Sequence, residues 1–247
     1  MLNIVIPMAW AWSRFAKAWY TFPKPLIEVK WKPMIQVVVD NLIPKNRDDY
    51  KFIFIVQEEH YNKYNLKDLL NLITKNKCEI VKTNWLTKGA ACTVLLASWY
   101  IDNDDELIIA NSDQYIENWI NDFIEYSSNN NYDGVIMSFE ATHPKWSFVR
   151  LDENWFVEEV AEKKPISNIA TVWIYYFKKW KEFVGWTKEM IKKNITTNWE
   201  FYVCPVYNEL ILKNKKIKTY DIWNRMWWIW TPEDLNTFLS SDVSNNI

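Results

Sequence analysis

The stretch Leu2-Asn-Ile-Val-Ile-Pro-Met-Ala-Trp-Ala-Trp-Ser-Arg14 decides the fold of this chain. Its first five residues form a short apolar run rich in β-branched side chains, which is typical of a buried strand. The strand runs into a loop that ends in Ser13-Arg14, and Phe22-Pro-Lys-Pro-Leu26 follows soon after the loop. Ligands of an open α/β sheet bind where its strands end, so this loop is the first candidate for a binding site.

The alternation of strand and helix patterns continues along the whole chain. It predicts an α/β fold with a mostly parallel sheet covered by helices. We predict strands over residues 2–6, 51–57, 79–82, 106–110, 133–139, 147–151, 156–162, 169–177 and 216–221. We predict helices over residues 33–41, 66–76, 89–98, 119–127, 178–193 and 205–212, and a last helix that Thr231-Pro-Glu-Asp234 caps and that ends near Leu239.

Charge, hydropathy and cysteine spacing argue against several classes of protein. The 247 residues carry a net charge of -2 and have a pI near 5.8, which gives no basic surface for nucleic acid. The longest apolar runs are of strand length, too short to cross a membrane, and nothing at the N-terminus suggests export, so we expect a cytoplasmic protein. Cys78, Cys92 and Cys204 are widely spaced, which favours free thiols over a disulfide or a zinc site.

Tryptophan stands in this chain where turn chemistry favours glycine. The sequence has 17 Trp and 3 Gly, whereas glycine makes up about 7% of an ordinary soluble domain. Segments such as Lys30-Trp-Lys-Pro33 and Asp152-Glu-Asn-Trp155 place an indole in a predicted turn. We interpret all tryptophans except Trp146 and Trp227 as glycine in the functional protein; a natively Trp-rich chain is the alternative. The 15 positions are Trp10, Trp12, Trp19, Trp31, Trp85, Trp99, Trp119, Trp155, Trp173, Trp180, Trp186, Trp199, Trp223, Trp228 and Trp230.

The N-terminal strand, its loop and the Pro23-Lys-Pro-Leu26 segment together resemble the signature of the nucleotidyltransferases that join an NTP to a phosphorylated small molecule. In that family the loop reads Ala-Gly-x-Gly-Ser-Arg, and Trp10 and Trp12 occupy its two glycine positions. The resemblance implies a Rossmann-like fold with a mixed, mostly parallel sheet and helices on both faces. It also implies one domain over residues 1–247, with a nucleotide-binding half (1–140), an acceptor-binding half (141–240) and a loose tail (241–247). The loop residues implied to contact the nucleotide are Met8, Ala9, Trp10, Ala11, Trp12, Ser13 and Arg14.

Two cations are the catalytic candidates. Attack of a phosphate monoester on the α-phosphorus of an NTP brings two anions together, so the site needs positive charge. The resemblance implies that Arg14 holds the β- and γ-phosphates and that Lys24 holds the α-phosphate or the acceptor phosphate. Two solvated surface cations are the alternative.

Asp113 is the candidate ligand for Mg²⁺. It follows the predicted strand 106–110, and a carboxylate at a strand end suits a hard cation shared with phosphates. In the resembled family this position is the metal aspartate of a Gly-Asp pair, here Ser112-Asp113; a capping or turn role is the alternative. The sugar-1-phosphate branch supplies a second metal aspartate in a Trp-x-Asp-x-Gly-Thr segment. This chain reads Met226-Trp-Trp-Ile-Trp-Thr231, so the second ligand stays open.

Further contacts follow from shorter segments. Thr87-Lys-Gly-Ala-Ala91 resembles the Gly-Thr-Ala segment that faces the base and ribose, and Gln57 at the end of the second predicted strand can read a base edge. For Lys88 and Gln57, an ordinary position on the surface is the alternative. Glu162-Lys-Lys-Pro165 resembles the acceptor motif Glu-Lys-Pro, and Asn198-Trp-Glu-Phe-Tyr202 resembles Gly-Glu-Phe/Tyr. The nucleotide contacts assigned from these segments are Gln57, Lys88, Gly89 and Ala90; the acceptor contacts are Glu162, Lys163, Trp173 and Glu200.

Within the family the chain looks most like the small cytidylyltransferases of bacterial capsule pathways. This implies CTP, or another NTP, and a phosphorylated small-molecule acceptor, with Mg²⁺ as cofactor; a homodimer is left open. A sugar-1-phosphate nucleotidyltransferase is the alternative within the class. A glycosyltransferase would need a DxD motif after a strand, but Asp102-Asn-Asp104 precedes its strand. If the tryptophans are real, Trp10 and Trp12 fill the phosphate site and the protein is catalytically dead.

Overall fold

The computed structural model describes residues 1–9, 15 and 17–247, and it has strands and helices throughout this part of the chain. The strands are β1 (Leu2–Pro7), β2 (Glu28–Val29), β3 (Lys32–Pro33), β4 (Tyr50–Gln57), β5 (Cys78–Thr83), β6 (Glu106–Ile109), β7 (Gln114–Ile116), β8 (Gly134–Glu140), β9 (Ser147–Leu151), β10 (Val157–Glu162), β11 (Ile169–Phe177), β12 (Ile217–Asp221) and β13 (Met226–Trp228). The helices are α1 (Met34–Leu42), α2 (Glu58–Lys63), α3 (Leu66–Ile73), α4 (Ala90–Leu95), α5 (Ser98–Ile101), α6 (Ile120–Asn129), α7 (Trp180–Lys192), α8 (Val206–Ile211) and α9 (Pro232–Leu239), with short 3-10 helices at Lys24–Leu26 and Asp242–Asn246.

Nine strands form one mixed sheet. Its main path is β10-β9-β11-β6-β1-β4-β5, and β8 joins it through β11 and carries β12 on its other edge. Strand β1 pairs in parallel with β4 and β6, whereas β11 runs antiparallel to β6, β8 and β9. Only β10 and β11 run against the common direction, which confirms the predicted mixed, mostly parallel sheet.

Helices cover both faces of the sheet, so its central strands are buried on both sides. On β1 the side chains of Leu2, Ile4 and Ile6 pack into one apolar cluster, and Val5 packs into the other. The first cluster is closed by residues of α1, α3 and α6, and the second by residues of α4, α7 and α8. Because the strands other than β10 and β11 run in one direction, their carboxyl ends lie at the same edge of the sheet, which is where ligands of such sheets bind.

A smaller layer lies beside the sheet near its carboxyl edge. Strands β7 and β13 form a two-stranded antiparallel ladder in which Trp228 lies opposite Gln114. Helix α9 begins right after this ladder, and the predicted capping box is present: Asp234 N–H donates to the Thr231 hydroxyl, and Thr231 N–H donates to the Asp234 carboxylate. The ladder ties the end of the chain to the segment that carries Asp113.

Several predicted elements differ from those observed. The helix over 66–76 ends at Ile73, because Lys75 and Asn76 take positive φ angles of 54° and 62°. The helix over 89–98 is divided into α4 and α5. Strands β2, β3, β7 and β13, of two or three residues each, were not predicted.

The last residues differ from the predicted loose tail. The Ser244 side chain is buried and its hydroxyl donates to the carbonyls of Leu239 and Ser241. Val243 and Ile247 pack against the apolar cluster around Phe238. The tail is therefore fixed to α9 by both hydrogen bonds and apolar contacts.

Across the part of the chain that the structure describes, helices long and apolar enough to cross a membrane are absent. All three cysteines are free, as predicted.

Candidate active site

The carboxyl ends of β1 and β6 lie side by side and carry the candidate residues. Met8 and Ala9, both buried, extend β1, and the Met8 N–H donates to the Ile55 carbonyl of β4. The loop beyond them is the predicted phosphate loop. Its residues Trp10, Ala11, Trp12, Ser13 and Arg14 lie outside the described residues, so their predicted nucleotide contacts stay predictions.

An ion pair between Lys24 and Asp113 forms the centre of the site. Lys24 begins the short 3-10 helix Lys24–Leu26, and Pro23 precedes it with φ -58°, the angle that proline fixes at such a start. The Lys24 Nζ lies 2.6 Å from Asp113 Oδ2 and donates to the Trp230 carbonyl at 3.2 Å. Both side chains are largely buried, at 16% and 22% exposed. The predicted catalytic cation and the predicted metal ligand thus meet although 89 positions separate them.

A cavity of about 220 Å³ opens beside Asp113. The second oxygen of this carboxylate, Oδ1, is buried without a hydrogen-bond partner. The cavity is lined by Pro7, Ala90, Ile109, Asn111, Ser112, Asp113, Glu162, Trp173, Tyr175, Tyr202 and Val203. The cavity therefore joins Asp113 and Ala90 from the first half of the chain to Glu162 and Trp173 from the second half.

The free oxygen of Asp113 is a suitable Mg²⁺ ligand, because Mg²⁺ in phosphate-transfer sites binds one or two carboxylates and completes its shell with water and phosphate oxygens. Among the described residues there is no group of three or more His, Cys, Asp or Glu side chains that could hold a metal ion. Position 228 lies opposite Gln114 in the β7–β13 ladder and carries no carboxylate. The site therefore fits a metal held by Asp113 and by the substrate's own oxygens.

Glu162 forms part of the wall of the cavity. It ends β10 and is 6% exposed; its Oε2 accepts a short hydrogen bond from the Ser147 hydroxyl, and its Oε1 has no partner. Burial raises the pKa of Glu162 to about 7, and the Ser147 hydrogen bond offsets part of that rise. Ser147 also accepts a hydrogen bond from the Trp173 indole at 3.1 Å. This wall therefore presents hydrogen-bond acceptors to the cavity.

Lys163 and Tyr202 form a second contact at this wall. The Lys163 Nζ lies 2.5 Å from the Tyr202 hydroxyl oxygen and 4.6 Å from the centre of the Tyr202 ring. Burial, with the Glu200 carboxylate nearby, raises the pKa of Tyr202, so the phenol stays neutral. Tyr202 lines the cavity, and Lys163 contacts it there through the phenol oxygen.

The segment around Gly89 is hydrogen-bonded to the segment around Phe201. Gly89 has a φ of 108°, and a Cβ atom there would lie 2.5 Å from the Phe201 carbonyl oxygen. The Phe201 N–H donates to the Lys88 carbonyl at 2.7 Å, and the Phe201 carbonyl accepts from the Ala91 N–H at 3.0 Å. The predicted base-facing segment and the predicted acceptor segment are therefore one hydrogen-bonded unit.

Other predicted contacts lie further out. The Gln57 amide donates to the Ala9 carbonyl at 2.8 Å, so this side chain supports the residue that precedes the predicted phosphate loop. Gln57 and Met8 line a small separate pocket next to Pro23 and Leu26. The described lining of the larger cavity includes neither Lys88 nor Glu200, although Glu200 lies close enough to raise the pKa of Glu162.

The sequence analysis did not identify Asn111 as a cavity residue or Ser147 as the hydrogen-bond partner of Glu162, and it assigned no role to Tyr202. Tyr202 had a signal, since it ends the segment that resembles Gly-Glu-Phe/Tyr. Ser147 had none, because its contact with Glu162 depends on the pairing of β9 with β10, where Glu162 lies opposite Ser147.

The comparisons with known proteins agree with this geometry. The sequence profile of the family described as nucleotidyl transferase matches residues 17–194. Because the match spans most of the chain, the protein belongs to the nucleotidyl transferase family. A comparison with curated proteins gave no match.

Solved structures with the same fold are numerous. A nucleoside-diphosphate-sugar pyrophosphorylase from Vibrio cholerae RC9 is 25% identical, with a TM-score of 0.82 over 96% of this chain and 100% of that one. A UDP-glucose pyrophosphorylase complexed with UDP-glucose is 18% identical, with a TM-score of 0.75 over 100% and 98%. The inositol-1-phosphate CTP transferase from T. maritima is 14% identical, with a TM-score of 0.72 over 98% and 93%. At this identity the last two show the fold alone.

Proposed function

We propose that the protein transfers a nucleoside monophosphate from an NTP to the phosphate of a small-molecule acceptor. An acceptor phosphate oxygen attacks the α-phosphorus, the bond from that phosphorus to the bridging oxygen breaks, and pyrophosphate leaves. The observation that carries the proposal is the Lys24–Asp113 pair beside a cavity that Asp113 and Glu162 both line. A cation, a metal ligand and hydrogen-bond acceptors around one cavity suit a triphosphate and an acceptor bound side by side.

The candidate site residues have separate proposed roles in this reaction. The Lys24 ammonium exchanges Asp113 for phosphate oxygens and neutralises charge at the α-phosphate or the acceptor phosphate. Arg14, on the phosphate loop, is proposed to hold the β- and γ-phosphates. Asp113, freed by that exchange, would hold Mg²⁺, which when bound supplies charge neutralisation to the phosphates. Glu162, Lys163 and Glu200 are proposed to orient the acceptor.

The proposed donor is CTP and the proposed acceptor is phosphorylated glutamine, as in the capsule-pathway cytidylyltransferases that the chain resembles. The absence of a carboxylate at position 228 supports a site unlike the sugar-1-phosphate branch. A sugar-1-phosphate nucleotidyltransferase is the second candidate, favoured by the similarity to the Vibrio cholerae nucleoside-diphosphate-sugar pyrophosphorylase.

We also propose that the functional protein carries glycine at the 15 tryptophan positions. The support is the backbone of the described tryptophans. Six of them hold positive φ angles between 55° and 70°, a region that bulky residues avoid at a cost of about 1 kcal/mol or more. They are Trp19, Trp31, Trp155, Trp173, Trp199 and Trp223.

The exposure of these side chains supports the same reading. Trp19 is 93% exposed and Trp31 is 89% exposed, so no packing compensates the strained backbone. Trp119 and Trp180 are different: both are buried, and the Trp119 indole donates to Asn41 at 3.0 Å. At these two positions, and at the other described positions without a positive φ, the proposal stands on sequence pattern alone. With glycine at positions 10 and 12 the phosphate loop can approach a triphosphate; with tryptophan the protein would be catalytically dead.

Pyrophosphate release tests the activity. Protein carrying glycine at the 15 positions is assayed with each of the four NTPs, crossed with phosphorylated glutamine, phosphocholine and glucose 1-phosphate. We expect turnover with CTP and phosphorylated glutamine, and none from the chain with tryptophan at positions 10 and 12. Efficient turnover of dTTP or UTP with glucose 1-phosphate, and none with CTP, would move the protein to the sugar branch. No pyrophosphate with any pair would reject nucleotidyl transfer.

A further inference from the structure

We propose that Lys24 is a built-in counter-ion that keeps free divalent cations off Asp113, so that Asp113 binds a metal ion only after a triphosphate has drawn Lys24 away. The inference rests on the proposed transfer reaction and adds the order in which its components bind. It means that the protein without nucleotide has little affinity for Mg²⁺, although the candidate metal ligand is in place.

The Lys24 ammonium is held in position by several contacts. Its Nζ lies 2.6 Å from Asp113 Oδ2, donates to the Trp230 carbonyl at 3.2 Å and lies 5.5 Å from the centre of the Phe15 ring. The backbone at this residue is fixed as well, since the Ile27 N–H donates to the Lys24 carbonyl at 3.1 Å. Because only 16% of its side chain is exposed, Lys24 is a fixed part of the site and not a mobile surface group.

Asp113 has one oxygen bound and one oxygen free. Its Oδ2 accepts from Lys24, whereas Oδ1 is buried without a hydrogen-bond partner. The two side chains neutralise each other, so a free cation meets no net negative charge from the pair. A divalent cation on this carboxylate would also be repelled by the ammonium, in a place where the Asp113 side chain is only 22% exposed. Like charges repel more strongly where water is scarce, so Lys24 lowers the affinity of Asp113 for a free cation.

The protein offers a cation few other ligands at this place. Within the described residues, no three His, Cys, Asp or Glu side chains form a group that could hold a metal ion. Position 228, opposite Gln114 in the β7–β13 ladder, carries no carboxylate. Mg²⁺ gives up its water shell reluctantly and is usually bound by one or two carboxylates together with phosphate oxygens. One carboxylate that is already neutralised is therefore a poor Mg²⁺ site until further oxygens arrive.

A triphosphate reverses this balance. Its oxygens compete for the Lys24 ammonium through charge-assisted hydrogen bonds, and they carry more negative charge than one carboxylate. Once Lys24 has moved to phosphate, Asp113 has two free oxygens and no counter-ion in a largely buried position. Such a carboxylate is strongly stabilised by a cation. Nucleotide and metal therefore bind together, and the ion pair re-forms when pyrophosphate leaves.

Mn²⁺ binding in the absence of nucleotide tests the exclusion without turnover. The full chain with its 17 tryptophans suffices for this measurement, and free Mn²⁺ is measured by electron paramagnetic resonance. Lys24→Gln keeps a donor for the Trp230 carbonyl, whereas Lys24→Met removes every group that could itself bind the metal. We expect both variants to bind one Mn²⁺ about tenfold more tightly than the parent chain.

Two controls assign this gain to Asp113. Lys32→Met is the matched control, because Lys32 also pairs with an aspartate, Asp40 at 3.0 Å, but the two side chains are 35% and 42% exposed. Loss of such a solvent-screened pair should leave the Mn²⁺ affinity unchanged. Adding Asp113→Asn to Lys24→Met should abolish the gain. Circular dichroism and thermal unfolding check that each variant is folded.

The nucleotide completes the test in protein with glycine at the 15 positions. CTP is added without acceptor, and Mn²⁺ bound to the protein complex is followed through the relaxation rate of water protons. CTP should raise the Mn²⁺ affinity of the parent about tenfold or more. It should raise that of Lys24→Met less, because Asp113 is already free in this variant.

Three results would overturn the proposal. The first is equal Mn²⁺ affinity of the parent and both Lys24 variants, and the second is a gain that survives Asp113→Asn. The third is an NTP that supports turnover but leaves the Mn²⁺ affinity of the parent unchanged. Failure of the transfer reaction is distinguishable: the Lys24 variants would still gain Mn²⁺ affinity through Asp113, while no pair of NTP and acceptor released pyrophosphate.

Discussion

At the scale of single residues, the ion pair between Lys24 and Asp113 holds both charged groups in the site in the absence of substrate. Each neutralises the other at 2.6 Å, and Asp113 keeps one oxygen unpaired. A pair of this kind keeps two largely buried charges in place and yields when a phosphate competes for the lysine.

In protein with glycine at the 15 positions, Asp113→Asn should abolish Mg²⁺-dependent turnover and leave the fold intact, because a neutral amide is a far weaker ligand for a hard cation. The measurement is pyrophosphate release over a Mg²⁺ titration, with circular dichroism as the check on folding. Asp40→Asn is the matched control, since Asp40 also pairs with a lysine, Lys32 at 3.0 Å, but does so outside the cavity. Turnover near that of the parent protein would show that Mg²⁺ is held elsewhere.

Glu162 should make the protein less stable as the pH rises. Burial raises its folded pKa from 4.5 to about 7, so between these values the folded chain keeps a proton that the unfolded chain has lost. The free energy of unfolding therefore falls across this window, by about 3 kcal/mol at most when the pH exceeds 7. Glu162→Gln removes the titrating group and should flatten this part of the curve.

Urea unfolding of both proteins at several pH values between 4 and about 8 checks this dependence. The difference in free energy between Glu162→Gln and the parent should grow in favour of the glutamine as the pH rises. Parallel curves would mean that the carboxyl group titrates normally in the folded protein.

At the scale of elements, the unit formed by Lys88, Gly89 and Phe201 joins the start of helix α4 to the segment that carries Tyr202. The close approach of two backbones permits no side chain at position 89. Helix α4 and the Tyr202 segment consequently depend on one glycine for their relative position.

Gly89→Ala should lower the free energy of unfolding by about 2 kcal/mol or more, because the residue combines positive φ with a Cβ contact against backbone. Gly185→Ala is the matched control: nothing lies within 4 Å of a Cβ there, and α7 should gain up to about 1 kcal/mol. Chemical denaturation followed by circular dichroism compares the two. Equal effects would mean that the backbones around position 89 can separate at little cost.

The elements also show how far the sequence can be read. Long apolar runs such as β4 and β11 were predicted within a residue or two, because their burial on both faces leaves a strong pattern. Strands β7 and β13 were not, since three residues carry no periodicity and the pairing depends on distant partners. In the site, short sequence motifs predicted Asp113 and Glu162. They did not predict Ser147, because its contact with Glu162 depends on the register of β9 against β10. Register is a tertiary property that short stretches of sequence do not encode.

At the scale of the whole molecule, the proposed glycines change mass and stability together. The chain with 17 Trp has a mass of 29.9 kDa, and 15 glycines lower it to about 28 kDa, because each indole side chain removed takes away about 0.13 kDa. Intact mass spectrometry of the protein purified from the cells that naturally make it distinguishes these two masses. A mass of 29.9 kDa would reject the glycines; if they are present, the tryptophan form should show a lower midpoint of thermal unfolding.

The β7–β13 ladder has a consequence for the timing of synthesis. The Trp230 carbonyl holds Lys24, and the Ile229 N–H donates to the Asp113 carbonyl at 3.2 Å, so both charged residues rely on the closing part of the chain. A nascent polypeptide still attached to the ribosome at α8 already contains Lys24, Asp113 and Glu162 but lacks the strand that orients the first two. Prematurely terminated translation products that stop before residue 226 would therefore carry these three candidate site residues without the strand that positions Lys24 and Asp113.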